Sequence, residues 1–196
     1  MNTINIISDD IFFLRGAAIL LNDALRHRNK LIKCYNTNEI TLRNLMHTLA
    51  HEEQKVVLYI HCIKKRRVIL RLIAAYNLQV FIIIDCKKTN QTNNPFIIPS
   101  FASKKEFIRK ISTTRKKGYM KHSLTSKIIF KSLSSGMCLG KIANKLKMNH
   151  KSVCAIKNLT LKHYGLKTTK MHGFLICRDL LEMNAIGLQY NSLKRK

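Results

Sequence analysis

The sequence predicts an α/β N-terminal half joined to an all-α C-terminal half. Through residue 114, short and nearly continuous apolar runs alternate with helix-patterned stretches, as expected of a parallel sheet covered on both faces. Beyond Thr125 the strand-like runs stop, apart from an ambiguous one at Gly173–Cys177, and short helical patterns separated by turn signals take over. Charge changes with the pattern. Residues 1–118 hold 21 basic and 8 acidic residues (net +13), whereas the shorter stretch 119–196 holds 15 and 2 (again net +13).

Ile4–Ile7 is short, β-branched and apolar, and reads as a buried strand ended by Ser8, Asp9 and Asp10. Ile11–His27 carries Phe12, Leu14, Ile19, Leu20 and Leu25 at helical spacing. Lys30–Tyr35 reads as a second strand and Glu39–Glu52 as a second helix. Lys55–His61 is a strong strand. Lys65–Tyr76 is helical, with Val68, Leu72 and Ala75 expected on one face, and Leu78–Asp85 is the strongest strand of the chain. The polar stretch 87–95 interrupts the alternation and Phe96–Ile98 resumes it. Ser103, with Glu106 three residues on, forms a capping-box start for a helix through Thr113. The basic run 115–118 is expected to link the halves.

A formal net charge of +26 over 196 residues repels itself in a compact state unless a polyanion is near. Nucleic acid and an anionic membrane surface are the candidate polyanions, and a solvated basic face is the plain alternative. The longest apolar run, Val80–Ile84, is too short to cross a bilayer. The start, MNTINIISDDIFF, has no basic region and two aspartates, so it does not read as a signal peptide. Cys34, Cys62, Cys86, Cys138, Cys154 and Cys177 form no CxxC pair and no zinc spacing. A reduced cytoplasmic protein is expected, with several thiols serving as small buried hydrophobes. The histidines are scattered, no nucleophile–base arrangement can be argued from spacing, and no glycine-rich phosphate motif is present. No enzymatic role, cofactor or metal is expected.

The segment 136–168, GMCLGKIANKLKMNHKSVCAIKNLTLKHYGLKT, carries the strongest functional signal. Ile142, Ala143 and Leu146 recur at helical spacing, Met148-Asn149-His150 makes a turn, and a second helix points Val153, Leu161 and either Ile156 or Leu159 inward. Two short helices joined by such a turn form a helix-turn-helix unit. Ala143 is small where the helices must approach. The second helix carries Lys151, Lys157 and Lys162 and no acid, and can lie in the major groove. His150, Lys151, Ser152, Lys157 and Lys162 are candidate phosphate contacts. In a groove, an asparagine can read adenine and an alanine can touch a thymine methyl.

This segment resembles the C-terminal DNA-binding domain of LuxR/FixJ (NarL-type) regulators. Gly136, Lys141-Ile142-Ala143, Leu146, Lys151-Ser152-Val153 and Tyr164-Gly165-Leu166 match the family pattern without a gap. The resemblance places Cys154, Ala155 and Asn158 where relatives present side chains to base edges, which implies that Asn158 reads adenine, Ala155 touches a thymine methyl, and Cys154 is a small contact or a redox-sensitive one. Leu124-Thr125 resembles the family's opening pair, at a spacing two residues short. The N-terminal half is similar to a receiver (flavodoxin-like) domain. Ser8-Asp9-Asp10 with Phe13-Leu14-Arg15-Gly16 resembles its acidic pair and following helix. The phosphoacceptor aspartate is missing from Leu58-Tyr59-Ile60-His61. The expected lysine falls at Pro99, and the expected Thr/Ser falls near Ile84-Asp85. The resemblance therefore implies a degenerate pseudo-receiver. Asp9 and Asp10 could hold Mg²⁺ or serve as turn and N-cap carboxylates.

The expected organisation is a receiver-like domain over 1–114, a linker at 115–118, a LuxR-type helix-turn-helix domain over 119–185, and a basic tail over 186–196, mobile from Gln189 on. The expected function is a phosphorylation-independent, sequence-specific transcription regulator that binds double-stranded DNA. The resemblance implies a homodimer, or a heterodimer with another regulator, and an enterobacterial role at surface structures such as fimbriae or capsule. The alternative is a regulatory interaction protein that heterodimerises with another regulator and modulates its DNA binding.

Overall fold

The computed structural model describes residues 3–26, 30–50, 54–84, 96–113, 119, 121–166 and 171–193. The expected linker at 115–118, the polar stretch 87–95, Asp85, Cys86 and the last three residues lie outside the described residues.

Five strands, β1 (Thr3–Ser8), β2 (Leu31–Asn36), β3 (Lys55–Tyr59), β4 (Gln79–Ile84) and β5 (Ile97–Pro99), form one sheet in the order β2-β1-β3-β4-β5. Every pairing is parallel. This is the flavodoxin-like, doubly wound order, whose switch point lies between β1 and β3. Four helices accompany it: α1 (Ile11–Leu25), α2 (Leu42–Leu49), α3 (Ile63–Ala75) and α4 (Lys104–Thr113). Alternation along the strands sorts the core into two layers. Ile4, Ile6, Val57, Phe81 and Ile83 meet Leu14, Leu21, Phe107 and Ile111 of α1 and α4. Ile7, Val56, Leu58, Val80 and Ile82 meet Leu45, Leu49, Ile69 and Ile73 of α2 and α3.

The remaining helices are α5 (Leu124–Ser134), α6 (Leu139–Leu146), α7 (His150–His163) and α8 (Met171–Leu193). The ambiguous run Gly173–Cys177 is helical, inside α8. Residues 186–193, expected within a basic tail mobile from Gln189, are the last turns of the same helix, and Gly187 there is buried. The sequence hides α8 because it is apolar on nearly every side, so no amphipathic stripe marks it. Ile176, Leu180, Leu181 and Met183 are all buried, and the helix packs against α3 on one side and α5 on another. The apolar layer under α3 is therefore continuous with the core of the helical half.

This packing corrects the face expected for α3. Val68 and Ala75 are exposed, and Arg66, Ile69, Leu70, Ile73 and Ala74 point inward. A helix gripped by both a sheet and α8 buries a wider arc than one apolar stripe, and that arc includes an arginine. Arg66 is 4% exposed and donates through Nε and Nη2 to Asp179 Oδ2 of α8 at 3.2 and 3.1 Å. Arg178 donates to the other oxygen of Asp179. Arg67 makes a fork to Glu182, 2.7 Å from Nε to Oε2, and Arg71 approaches the same carboxylate. Beside this latch, the Tyr119 ring stacks on Phe96, its hydroxyl donates to the Leu78 carbonyl, and its ring lies on Gly187, where any Cβ would overlap it.

Removing one partner of a fully buried ion pair strands the other charge. Asp179→Ala should cost about 3–5 kcal/mol in denaturant unfolding, whereas Arg66→Met combined with Asp179→Leu should recover most of that loss. A single mutant as stable as the parent would show that the pair is not desolvated as described.

Candidate nucleic-acid interface

The α6–α7 pair is built from caps and glycines. Gly136 (φ 83°) follows α5 and Gly165 (φ 67°) follows α7, both in the left-handed region that a helix-ending residue needs. Between α6 and α7, Lys147 adopts φ 50° and Met148 N–H closes on the Ala143 carbonyl at 3.0 Å. Asn149 then caps α7, its side chain accepting from Lys151 N–H at 2.9 Å. The turn is thus Lys147–Asn149, one residue earlier than the expected Met148–His150, because the cap falls on Asn149 and leaves His150 as the first helical residue. Ile142, Ala143, Val153 and Leu161 are buried between the helices. Of the two open candidates, Ile156 is half-buried and Leu159 is 67% exposed.

Tyr164, fully buried, ties this pair to its neighbours. Its hydroxyl accepts from Asn184 of α8 and lies 2.7 Å from His122 Nε2, just before α5. Burial, then the nearby His163 and Lys127, hold the His122 pKa below its ordinary value.

The eight candidate contacts divide into two groups. His150, Lys151, Ser152, Ala155, Asn158 and Lys162 are exposed. Lys151, Ala155, Asn158 and Lys162, spaced by four, three and four, share one stripe of α7. Lys157 and Cys154 are half-buried. The Lys157 ammonium sits 5.9 Å from the centroid of the Phe174 ring, on the α8 side, and Cys154 Sγ lies 4.0 Å from His150 Nδ1. Other exposed residues include Lys141 and Lys145 on α6, Lys147 in the turn, and Leu159. The lysine spacing in KIANKLK was the available signal for the first three. The cysteines differ from expectation too: Cys34, Cys62 and Cys138 are exposed and only Cys177 is buried, among the described residues.

At the switch point of the sheet, Asp10 is the N-cap of α1 and accepts from Phe12 and Phe13 N–H. Asp9 accepts from the backbone N–H of His61 and Cys62, with His61 Nδ1 at 3.3 Å. Burial pulls the Asp9 carboxyl upward, but the hydrogen bonds from Cys62 and His61 outweigh it and leave the pKa below the ordinary value. No carboxylate stands between Leu58 and His61 at the end of β3. Among the described residues, no three His, Cys, Asp or Glu side chains are grouped to hold a metal ion, and no helix is long and apolar enough to cross a membrane.

No protein-family model matches the chain, and no curated protein sequence matches it. Several solved structures are similar along almost their whole length. The response regulator RcsB in complex with DNA is 12% identical (TM-score 0.43), covering 90% of this chain and 98% of that one. RcsB from Salmonella enterica serovar Typhimurium, bound to promoter rprA with phosphomimetic BeF3−, is 14% identical (TM-score 0.39), covering 89% and 97%. Full-length FixJ from B. japonicum is 10% identical (TM-score 0.33), covering 93% and 98%. Likeness at this level carries no argument for function.

His122 gives the helical half a pH dependence of definite sign. Its folded-state pKa is depressed, so the unfolded chain takes up the proton first. The stability it contributes is present above the ordinary histidine pKa and is lost as pH falls towards the depressed value. Thermal unfolding from neutral to mildly acidic pH should show this loss, and His122→Gln should flatten it.

Proposed function

We propose that the chain is a sequence-specific DNA-binding transcription regulator in which α6, the Lys147–Asn149 turn and α7 form a helix-turn-helix. The observation that carries the reading is the outward face of α7. Lys151, Ser152, Ala155, Asn158 and Lys162 stand exposed on a helix whose opposite side is packed. The two acids of residues 119–196, Asp179 and Glu182, are both held by arginines of α3 and α8. Nothing acidic in the described part of the helical half therefore opposes a phosphate backbone. In this reading His150, Lys151, Ser152 and Lys162 meet phosphates, with Lys141, Lys145 and Lys147 adding to the field. Ala155 and Asn158 face base edges. Lys157 and Cys154, turned inward, are reassigned from contact to support.

The α/β half is read as a receiver-like domain that works without phosphorylation. The end of β3 offers no phosphoacceptor, and Asp9 already accepts backbone hydrogen bonds from the next loop. In this reading the linker between the two domains is the basic run 115–118.

Genomic fragments selected by the purified protein at about 0.15 M salt should be enriched for one short site, because binding driven by charge alone weakens there. Lys151→Glu with Lys162→Glu should abolish that enrichment. Asn158→Ala should relax discrimination at one base by about 1–3 kcal/mol, and Lys157→Gln should leave the salt slope unchanged. Beryllofluoride should change none of these. Unenriched, smooth binding would reject the reading.

One observation favours a protein partner as well. On α1, Phe12 is 82% exposed and Ile19, two turns on, is 64% exposed. Paired apolar residues on one outer face suit a second subunit, either another copy or another regulator. Phe12→Ser with Ile19→Ser should shift sedimentation to monomer. If the wild-type chain is itself monomeric, the regulatory heterodimer becomes the preferred form of the interface.

A further inference from the structure

The outer face of α1 is its own complement. The helix buries Leu14, Ala17, Leu21 and Leu25 in the layer it shares with the sheet. At the helical repeat, the line opposite them runs through Phe12, Arg15, Gly16, Ile19, Asp23 and Arg26, all of them exposed.

This line is arranged symmetrically about one residue. Arg15 and Asp23 stand at equal distances on either side of Ile19, and so do Phe12 and Arg26. Arg15 and Asp23 are separated by about 12 Å along the axis, too far to pair within one helix. None of Arg15, Asp23 and Arg26 forms an ion pair with another described residue. Gly16 lies in the same line, and a Cβ added there would meet nothing within 4 Å. The packing of a single chain therefore does not call for glycine at this point of a helix, where alanine is the more stable residue.

A second copy laid antiparallel, with the twofold axis at Ile19, accounts for all of these features. Ile19 meets the partner's Ile19. Arg15 meets the partner's Asp23, and Arg26 reaches the ring of the partner's Phe12, a cation–π pairing. Gly16 lets the two backbones approach. Opposite charges at equal distances from one residue suit an isologous contact, in which every pairing occurs twice. An unrelated partner requires no such symmetry. Two copies of a chain at net +26 repel each other at long range, so their association needs local attraction, and Asp23 supplies an acid inside the stripe.

We propose that α1 joins two copies of this chain antiparallel about Ile19, through reciprocal Arg15–Asp23 ion pairs and Arg26–Phe12 contacts. The proposal rests on the reading of α1 as a subunit surface, and it narrows that reading to a second copy in one orientation.

The test is sedimentation equilibrium of the full chain at about 0.15 M salt. Arg15→Asp and Asp23→Arg should each weaken the dimer about tenfold, because either change removes two ion pairs and adds two repulsions. Combined, they should restore most of the loss. Both residues are exposed, so the variants keep the fold. Oxidation of Ile19→Cys should link residue 19 to residue 19 of the second copy. Arg15→Cys should not link to itself, since the antiparallel arrangement puts the two positions beyond disulfide reach. Dissociation by Phe12→Ser with Ile19→Ser, without rescue by the double charge reversal, would overturn this arrangement and leave α1 a subunit surface of another geometry. A monomeric parent chain would overturn both the arrangement and the homodimer.

Discussion

The contact on which the rest depends is the seam between α3 and α8. It joins an α/β layer to a helical bundle and makes their apolar cores one. Its polar centre is costly: burial pushes the Asp179 carboxyl above its usual range even though Arg178 and Arg66 pull it down. A pair that is expensive to desolvate adds little net stability. The apolar contacts of Ile176, Leu180, Leu181 and Met183 supply the attraction. The arginine–carboxylate forks select one register, because sliding α8 by a turn along α3 would leave Arg66 and Asp179 buried and unpaired.

That selection has an electrostatic consequence. A helical half with only Asp179 and Glu182 as acids places both of them at the seam, so the rest of its described surface carries no carboxylate. The same two residues that dock the halves thereby keep carboxylates away from the face proposed to meet DNA. Lys157 shows the complementary effect, since it is half-buried with its ammonium 5.9 Å from the centroid of the Phe174 ring on α8. Charge on this molecule is partitioned by packing rather than spread evenly, and a count of lysines along α7 overstates the charge available to a ligand.

Much of the α/β half was legible because strand and helix periodicities differ and Gly, Asn and Ser mark the breaks. All five strands fall where alternating or continuous apolar runs place them, within a residue or two. The α6–α7 pair was legible for the same reason: Gly136, Asn149 and Gly165 are backbone signals. The rest was not, because the determinants are tertiary. Val68 looked like core and is outside because the arc of α3 is set by α8, far along the chain. Phe12 and Ile19 sit at helical spacing and still point away from the sheet. Nothing in the sequence of α8 says which of its several apolar sides meets which neighbour, and Asp179 reads as an ordinary surface acid until Arg66 is seen against it.

The switch point of the sheet is where ligands bind in doubly wound folds, and here Asp9 and Asp10 bond backbone N–H groups of the protein itself. Asp9 takes the backbone N–H groups of His61 and of Cys62, the residue that caps α3. Asp10 does the same for α1. Both acids therefore hold the helices whose positions matter most, and Asp9 in particular anchors the first turn of the helix that carries Arg66 and Arg67. A cation or phosphoryl group arriving at Asp9 would compete with the bonds that hold α3 in place, and through α3 with the seam to α8. Asp9 is thus a structural restraint on the entry to α3.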